Sequence, residues 1–361
     1  MFKQIQFKRP PVIPIIILIA LFCISLLELY SLMGSEFTQR CVQQLFNVIF
    51  ASCVFFIVSV IPLKFWKKYA YTIYIANIIL LIVTALFGKT VMGAKRWISI
   101  GFLTIQPSEI VRISLIIALA KYFSNITLFD IRYTRYLIGS IILLLVPVAL
   151  VATQPDLGTA MLLIFVYVSM LFVVGVQMWK LALLPISAII MTPFIWNSLH
   201  DYQKNRVLTF LNPETDPNGI GYHIIQSKIA IGSGGVFGLG LSNGKQCQLD
   251  FLPEKCTDFI FSAIAEELGL VGCLIVITLY MLLLLYNYRV AFNTKDRFLK
   301  YLAFGINAII FFYVFINISM VCGLVPVVGV PLPFLSYGGT ALSCLMFGEG
   351  IIIAIDNTRR D

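Results

Sequence analysis

Residues 12–33 read VIPIIILIALFCISLLELYSLM, an apolar run that contains a single charged residue, Glu28. An α-helix rises 1.5 Å per residue, so about 20 such residues cross a bilayer. The strands of a membrane barrel would alternate apolar and polar residues, whereas this run is continuously apolar. Comparable runs cover residues 42–61, 70–88, 107–123, 136–152, 157–175, 181–199, 259–286, 299–322 and 339–355. The sequence therefore predicts an all-α integral membrane protein with about ten transmembrane helices.

The composition supports lipid as the solvent of this chain. Of its 361 residues, 60% are hydrophobic and 12% are charged, whereas a soluble domain keeps about 25% charged residues. The net charge of +9 could suggest a nucleic-acid partner, but the positive charge of cytoplasmic loops in membrane proteins accounts for it. We therefore expect no nucleic-acid partner and a single polytopic membrane domain over residues 1–361.

The distribution of lysine and arginine predicts the orientation, because cytoplasmic loops are enriched in both. With both termini in the cytoplasm, the short outer loops hold only Arg40, Lys89, Lys95 and Arg96. A large extracytoplasmic loop, about 200–258, then separates helices 7 and 8. The predicted inner segments hold Lys3, Lys8, Arg9, Lys64, Lys67, Lys68, Lys121, Arg132, Arg135, Lys180, Arg289, Lys295, Arg297, Lys300, Arg359 and Arg360.

Charged residues inside the spans are unevenly placed. Each costs about 2.5–3.5 kcal/mol in lipid by insertion scales, so each is a candidate for function. Most fall at the outer ends of their spans, which predicts a polar cavity that opens to the outside. They are Glu28, Glu109, Arg112, Asp156, Asp258, Glu266 and Glu267.

Two of these positions have a structural and a functional interpretation. Glu109 and Arg112 lie at i and i+3 of one helix, so they form either a neutral ion pair or an anion site in which Glu109 holds Arg112 in place. Asp156, at the start of the sixth span, is either a helix cap or a binding residue. The basic outer segment Lys95, Arg96 and Trp97 suggests a site for anionic lipid or phosphate.

Asp258 precedes the apolar residues 259–261 at the outer end of the eighth span. An apolar flank disfavours ionisation, which raises the pKa of a carboxyl group and favours a role as general base. Ser262 and Glu266 follow at i+4 and i+8, along one predicted helix stripe. The alternative is that Asp258 merely caps this helix. The glycines from 232 to 244 lack the strand and helix of a nucleotide site, so we expect them to let an interfacial segment bend.

Several stretches together resemble the SEDS family (shape, elongation, division and sporulation), and its RodA branch more than the division paralogue FtsW. They are GAKRW at 93–97, QPSEI at 106–110, QPDLGTA at 154–160, RVLTFLNPETDPNGIGYHIIQSKIAIGSGG at 206–235, QLDFLPEKCTDFIFSAIAEELGLVG at 248–272 and PLPFLSYGGT at 331–340. The resemblance implies a peptidoglycan glycosyltransferase of the bacterial cytoplasmic membrane that acts in cell-wall elongation and rod-shape maintenance. Its active site would face the periplasm or cell exterior.

The resemblance also implies partners and site residues. The substrate would be lipid II, an undecaprenyl-pyrophosphate-linked disaccharide peptide. A class B penicillin-binding protein would supply the transpeptidase, alongside other elongation-complex proteins. Asp258 falls on the family's essential aspartate, whereas Arg112 stands where a lysine is usual. A divalent cation, Mg or Mn, is a candidate cofactor without assigned ligands. The candidate substrate-binding residues are Lys95, Arg96, Trp97, Glu109, Arg112, Asp156, Arg206, Tyr222, Gln226, Ser262, Glu266, Ser336 and Tyr337.

Two other functions stay open from the sequence. A lipid flippase would also need many helices and a cavity for a lipid-linked phosphate, but it predicts polar residues through the full membrane depth. A scaffold for other cell-wall proteins would show no activity of its own. The outward position of the charged residues favours the enzyme.

Overall fold

The computed structural model describes residues 11–34, 36–91, 94–100, 103–127, 129–198, 201–216, 219–252 and 254–360. Residues 1–10, which the charge distribution places in the cytoplasm, lie outside this part. The helices are α1 Val12–Leu32, α2 Gln39–Val60, α3 Leu63–Phe87, α4 Pro107–Ser124, α5 Ile138–Thr153, α6 Leu157–Val174, α7 Met178–Ser198, α8 Asp201–Leu211, α9 Ile220–Ser233, α10 Lys245–Gln248, α11 Ile260–Asn293, α12 Arg297–Val321 and α13 Gly339–Arg360. The predicted helical membrane fold is confirmed.

Eight spans in the described part of the chain are long and apolar enough to cross a membrane. They contain α1, α2, α3, α5, α6, α11, α12 and α13. Two further helices, α4 and α7, coincide with the predicted runs 107–123 and 181–199. The chain is therefore a multi-pass membrane protein, in agreement with the sequence.

Helix α4 lies at the centre of the bundle. It contacts α3, α5, α6, α12 and α13, and nearly all of its side chains are buried. Protein, rather than lipid, therefore surrounds its charged residues Glu109 and Arg112. This environment explains how a transmembrane bundle tolerates them, because charged groups in spans face the protein interior.

A small antiparallel sheet lies between α3 and α4. Its strands are β1 Lys89–Val91, β2 Ala94–Ile100 and β3 Leu103–Ile105, in the order β1-β2-β3. Lys89 pairs with Trp97, and Ile98 pairs with Ile105. The sequence predicted only a non-membrane segment here, since strands this short carry little periodic signal.

The predicted loop 200–258 contains helices α8, α9 and α10. At 14 residues, α9 is too short to span a bilayer, for which about 20 residues are needed. It packs on α11 instead. The loop is therefore largely a folded segment that packs against the N-terminal part of α11.

Helix α11 is broken at Gly269, where φ is +67°. The break frees backbone groups, and the segment 234–240 bonds to them. Leu239 N–H donates to Glu266 O and Gly240 N–H donates to Glu267 O, both at 3.0 Å. A Cβ at Gly234 would lie 1.8 Å from the carbonyl oxygen of Ala265.

These contacts give Gly234 and Gly238 a structural role that the sequence did not reveal. A Cβ at either position would lie within 2.1 Å of a carbonyl oxygen of α11, so glycine lets this segment approach the broken helix closely enough to form hydrogen bonds with it. Irregular backbone at membrane depth is tolerated where protein groups satisfy it in this way.

The segment 322–338 between α12 and α13 is irregular and lies among the helices. Ser25 Oγ donates to the Leu335 carbonyl at 2.6 Å, and the Tyr280 hydroxyl donates to the Pro333 carbonyl. Side chains of the surrounding helices thus satisfy its backbone, as buried non-helical chain requires. This segment forms one wall of the candidate site.

Candidate active site

Asp258 lies in a turn just before α11, which begins at Ile260. It does not share a helix stripe with Ser262 and Glu266, so that prediction is wrong. The alternative of a helix cap is wrong as well, because the N-cap residue is Phe259 and no side chain caps this end. The carboxyl group of Asp258 is therefore not committed to the start of the helix.

The backbone around Asp258 is held at three consecutive carbonyls, those of residues 256–258. The first accepts a hydrogen bond from Tyr337 N–H at 2.9 Å. The second accepts one from Ser336 Oγ at 2.6 Å, and the third accepts one from Asn317 Nδ2 at 2.8 Å. Three hydrogen-bond donors from outside the turn thus fix the position of the Asp258 backbone.

The carboxylate itself is held much less tightly. Asp258 is partly exposed, and in the described part of the chain no hydrogen bond to its carboxylate oxygens is found. Burial, with a smaller contribution from the negative Glu254, raises the pKa of Asp258 from 3.8 to about 6, while the positive Arg206 opposes this shift. A carboxylate with this pKa is a competent base near neutral pH.

Residues 327–330 join Asp258 to the other parts of the site. A Cβ added at Gly329 would lie 3.4 Å from Asp258 Oδ2. Arg206 Nη1 donates to the Val327 carbonyl at 3.2 Å. A Cβ at Gly158, in the first turn of α6, would lie 2.7 Å from the Val328 carbonyl. The segment therefore contacts the aspartate, the arginine and the start of α6.

Glu109 and Arg112 form a buried cluster of their own. Arg112 Nη1 lies 2.5 Å from Glu109 Oε2, which also accepts a hydrogen bond from the Tyr313 hydroxyl at 2.6 Å. Arg112 Nη2 donates to Thr159 Oγ1, and that hydroxyl donates to Asp156 Oδ2 at 2.8 Å. Glu109 and Arg112 thus form an ion pair, which both interpretations of these residues include, and both charged side chains are almost fully buried.

Asp156 caps α6, since its carboxylate accepts a hydrogen bond from Thr159 N–H at 3.2 Å. The cap interpretation of this residue is therefore confirmed. A role for Asp156 and Arg112 in ligand binding stays a prediction. In this conformation their polar atoms face each other through Thr159.

The basic outer segment lies beside the start of α6. Arg96 Nε donates to the Gln154 carbonyl at 2.9 Å, and its Nη2 donates to the Pro155 carbonyl. Lys95 is exposed, and its Nζ lies 3.4 Å from the Leu86 carbonyl. Trp97 is half-buried.

Ser262 and Glu266 have structural partners rather than positions next to Asp258. Ser262 Oγ lies 2.8 Å from Ser227 Oγ, which ties α11 to α9. The Glu266 carboxylate accepts hydrogen bonds from the N–H groups of Gln246 at 2.8 Å and Cys247 at 3.1 Å. Their proposed contacts with substrate stay predictions.

Tyr222 and Gln226 lie one turn apart on α9, and both are half-buried. The Tyr222 ring is 6.0 Å from the ring of His223, which is 6.2 Å from that of Phe259. Helix α9 thereby brings His223, rather than Tyr222, next to Phe259 in the turn that carries Asp258. Among the described residues no contact places Tyr222 or Gln226 in the site, so their roles stay predictions.

A metal site built by the protein alone does not fit the residues that the structure describes. Among them, no three histidine, cysteine, aspartate or glutamate side chains converge in a way that could hold a metal ion.

Three residues near Asp258 escaped the sequence analysis. Asn317 holds the backbone, Gly329 lies against the carboxylate, and Glu254 acts on its pKa. A signal existed for Asn317, because a polar side chain inside an apolar run such as 299–322 needs a partner. No comparable signal distinguishes Gly329 from other loop glycines.

Comparison with known families decides the relationship. A family model for FtsW, RodA and SpoVE, described as a cell cycle protein, matches residues 11–361. The chain belongs to the FtsW/RodA/SpoVE family. The resemblance that the sequence motifs indicated is therefore confirmed.

Individual members of the FtsW/RodA/SpoVE family agree along nearly the whole chain. Peptidoglycan glycosyltransferase MrdB of Escherichia coli K12 is 42% identical over 351 residues, which cover 96% of this chain and 93% of MrdB. A chain solved in a study of how a peptidoglycan synthase complex coordinates polymerization and crosslinking has a TM-score of 0.82 and 26% sequence identity. The match covers 96% of this chain and 97% of that chain. The crystal structure of the rod shape determining protein RodA from Thermus thermophilus shares the fold, with a TM-score of 0.72, 24% identity and the same coverage.

Proposed function

We propose that this chain polymerises lipid II into glycan strands during cell-wall elongation, with Asp258 as the general base. The activity class rests on the family and on the names of its relatives: the chain is a peptidoglycan glycosyltransferase. The assignment of Asp258 as the base rests on one observation. Hydrogen bonds hold its backbone, whereas none to its carboxylate oxygens is found among the described residues. Its carbonyl is bonded to Asn317, whereas its side chain is partly exposed and beside Arg206.

The reaction needs one base and positive charge. The donor sugar of lipid II carries an α-linked pyrophosphate and the product bond is β, so a single inverting displacement suffices. Asp258 accepts the proton of the acceptor 4-hydroxyl, whose oxygen attacks the anomeric carbon of the donor. The bond from this carbon to pyrophosphate breaks, and the pyrophosphate leaves with the electron pair. Pyrophosphate is a good leaving group, so it needs neutralisation rather than protonation.

Arg206 is the cation best placed for that neutralisation. Its positive charge lowers the pKa of Asp258. Its side chain also donates a hydrogen bond to the Val327 carbonyl, in the 327–330 segment. Arg112 is bonded to Glu109 and Arg96 to backbone carbonyls, and neither is among the groups that shift the pKa of Asp258. Lys95 is exposed and can meet an anionic headgroup from outside.

We place the site on the extracytoplasmic side of the cytoplasmic membrane. The positive-inside distribution of charge supports this orientation, and it lets the polyprenyl tail of the substrate stay among the helices. One continuous apolar cluster links helices from α1 to α13, which supports a single polytopic domain over 1–361.

The proposed partner is a class B penicillin-binding protein, together with other elongation-complex proteins. The support comes from the similar chain studied within a peptidoglycan synthase complex that polymerises and crosslinks. The tail of lipid II would approach the site laterally, while the partner would receive the glycan strand outside the membrane.

The decisive experiment reconstitutes the purified protein in liposomes with labelled lipid II, with and without a class B partner. Glycan polymer is the expected product. Translocated lipid II without polymer would instead establish a flippase, and the absence of both would indicate a scaffold. Asp258→Asn should abolish polymerisation, whereas Glu214→Gln, at an exposed acid of the 200–258 loop, should retain it.

A further inference from the structure

Asn317 lies on α12, and it has no role in the proposed mechanism. Its side chain is fully buried. The Nδ2 atom donates to two carbonyl oxygens, that of Asp258 at 2.8 Å and that of Val330 at 2.7 Å. A primary amide has two N–H groups on this nitrogen, so both hydrogen bonds can form at once.

The two carbonyls belong to opposite sides of the candidate site. One is the carbonyl of the proposed base itself. The other ends the segment 327–330, whose Gly329 lies against the Asp258 carboxylate and whose Val327 carbonyl accepts a hydrogen bond from Arg206. A single amide group therefore sets the separation between the turn of the base and the segment that positions the cation.

We infer that Asn317 is a positioning residue that keeps Asp258 in register with the 327–330 segment and, through it, with Arg206. It touches no substrate, so it is not a catalytic residue. This inference rests on the proposed role of Asp258 and extends it, because it names the group that fixes the base in place.

The choice of residue follows from the geometry. The donor must reach both carbonyls from within a helix, and it must carry two hydrogens on one atom. A serine or threonine hydroxyl has one hydrogen, and an aspartate at this position would bring oxygen atoms toward two carbonyl oxygens. The Asn317 amide is held in a buried site, where an unmade hydrogen bond is costly.

Loss of this amide should affect turnover more than substrate binding. Misplacement of a base by about 1 Å can cost up to about 100-fold in rate. We expect Asn317→Asp and Asn317→Ser to lower kcat by about 10- to 100-fold, with KM for lipid II within about twofold of its original value. In Asn317→Ser a looser turn would also admit water to Asp258, so the acidic midpoint of the pH–rate profile should move to lower pH. In Asn317→Asp the new negative charge opposes ionisation of Asp258, so the midpoint should move to higher pH.

Asn307 offers a matched control, because it lies on the same helix and, in the part of the chain that the structure describes, its Oδ1 is buried without a hydrogen-bond partner. Asn307→Asp should keep both kcat and the pH midpoint. Equal profiles for the Asn317 and Asn307 variants, with Asp258→Asn inactive, would overturn the positioning role alone. If Asp258→Asn stayed active, the proposed base would be wrong instead.

Folding is checked by detergent gel filtration and thermal unfolding of every variant. If both Asn317 variants failed to fold while Asn307→Asp folded, the residue would belong to the architecture and the positioning role would be rejected. Folded Asn317 variants with low kcat, unchanged KM and a shifted midpoint would support it.

Discussion

Asp258 and Glu109 are both acids near the N-terminal ends of helices, but their surroundings are opposite. The Glu109 carboxylate accepts hydrogen bonds from Arg112 and the Tyr313 hydroxyl, and it is almost fully buried. Asp258 has no such donors among the described residues, and its backbone carries the anchoring hydrogen bonds instead.

This difference distinguishes a structural role for Glu109 from the proposed catalytic role of Asp258. A buried carboxylate that is paired with its own cation has little capacity left for a ligand, and loss of either partner leaves an unpaired buried charge. A carboxylate that is fixed through its backbone can stay unpaired and still be well oriented. The cluster around Glu109 therefore joins α4, α6 and α12, whereas the turn at Asp258 presents a base.

The largest effect should come from Asp258→Asn. The substitution keeps the size of the side chain but removes the base, so polymerisation should fall by about 100- to 10,000-fold. The thermal unfolding midpoint should change little, because no side-chain hydrogen bond of Asp258 is lost. Polymer formation and unfolding of the same preparation check both points. A large loss of stability would contradict the assignment of this acid to chemistry.

Arg112→Met should show the opposite behaviour. It leaves the buried Glu109 without its cation, which should cost about 3–5 kcal/mol of stability. The double variant Glu109→Gln with Arg112→Met should recover much of this loss, since no unpaired charge is left. Thermal unfolding in detergent measures both. If the single variant were fully stable, the cluster would not be the architectural element described above.

Gly329→Ala tests how closely the 327–330 segment approaches the base. The added methyl group would lie 3.4 Å from Asp258 Oδ2, and φ at this position is +71°. The left-handed backbone costs about 1–2 kcal/mol for alanine. Gly34→Ala carries the same strain, with φ +75° but no atom within 4 Å. We expect lower kcat for Gly329→Ala only; equal rates for the two variants would remove Gly329 from the site.

The smallest expected effect is a shift in the midpoint of the pH–rate profile. Asp258 acts in its deprotonated form, so the rate should fall below a midpoint near pH 6, where its pKa lies. Removing the negative charge of Glu254 with Glu254→Gln lowers that pKa, and the midpoint should move to lower pH. Arg206→Gln should move it upward, because the positive charge no longer opposes protonation.

Glu214→Gln is the control for these pH–rate profiles, since Glu214, like Glu254, is an exposed acid of the 200–258 loop. Its midpoint should stay where it was. A midpoint that ignored Glu254 and Arg206 would show that another group limits the rate on the acidic side.

The candidate site was only partly predictable from the sequence. Asp258 and Arg206 were identified from motifs, and the burial of Asp258 gives the raised pKa that its apolar flank suggested. The helix stripe through Ser262 and Glu266 failed because α11 starts after Asp258. A turn and a helix that begins two residues later share the same apolar pattern, so periodicity could not separate them.

Apolar runs of bilayer length determined the helical membrane fold, because lipid leaves the backbone of a single segment no other way to satisfy its hydrogen bonds. Loop charge likewise predicted the orientation. Only the tertiary structure decided which charged residues pair with each other and which stay available. Glu109 and Tyr313, or Asn317 and Asp258, are far apart in the chain, and hydrogen bonds between them depend on how helices pack.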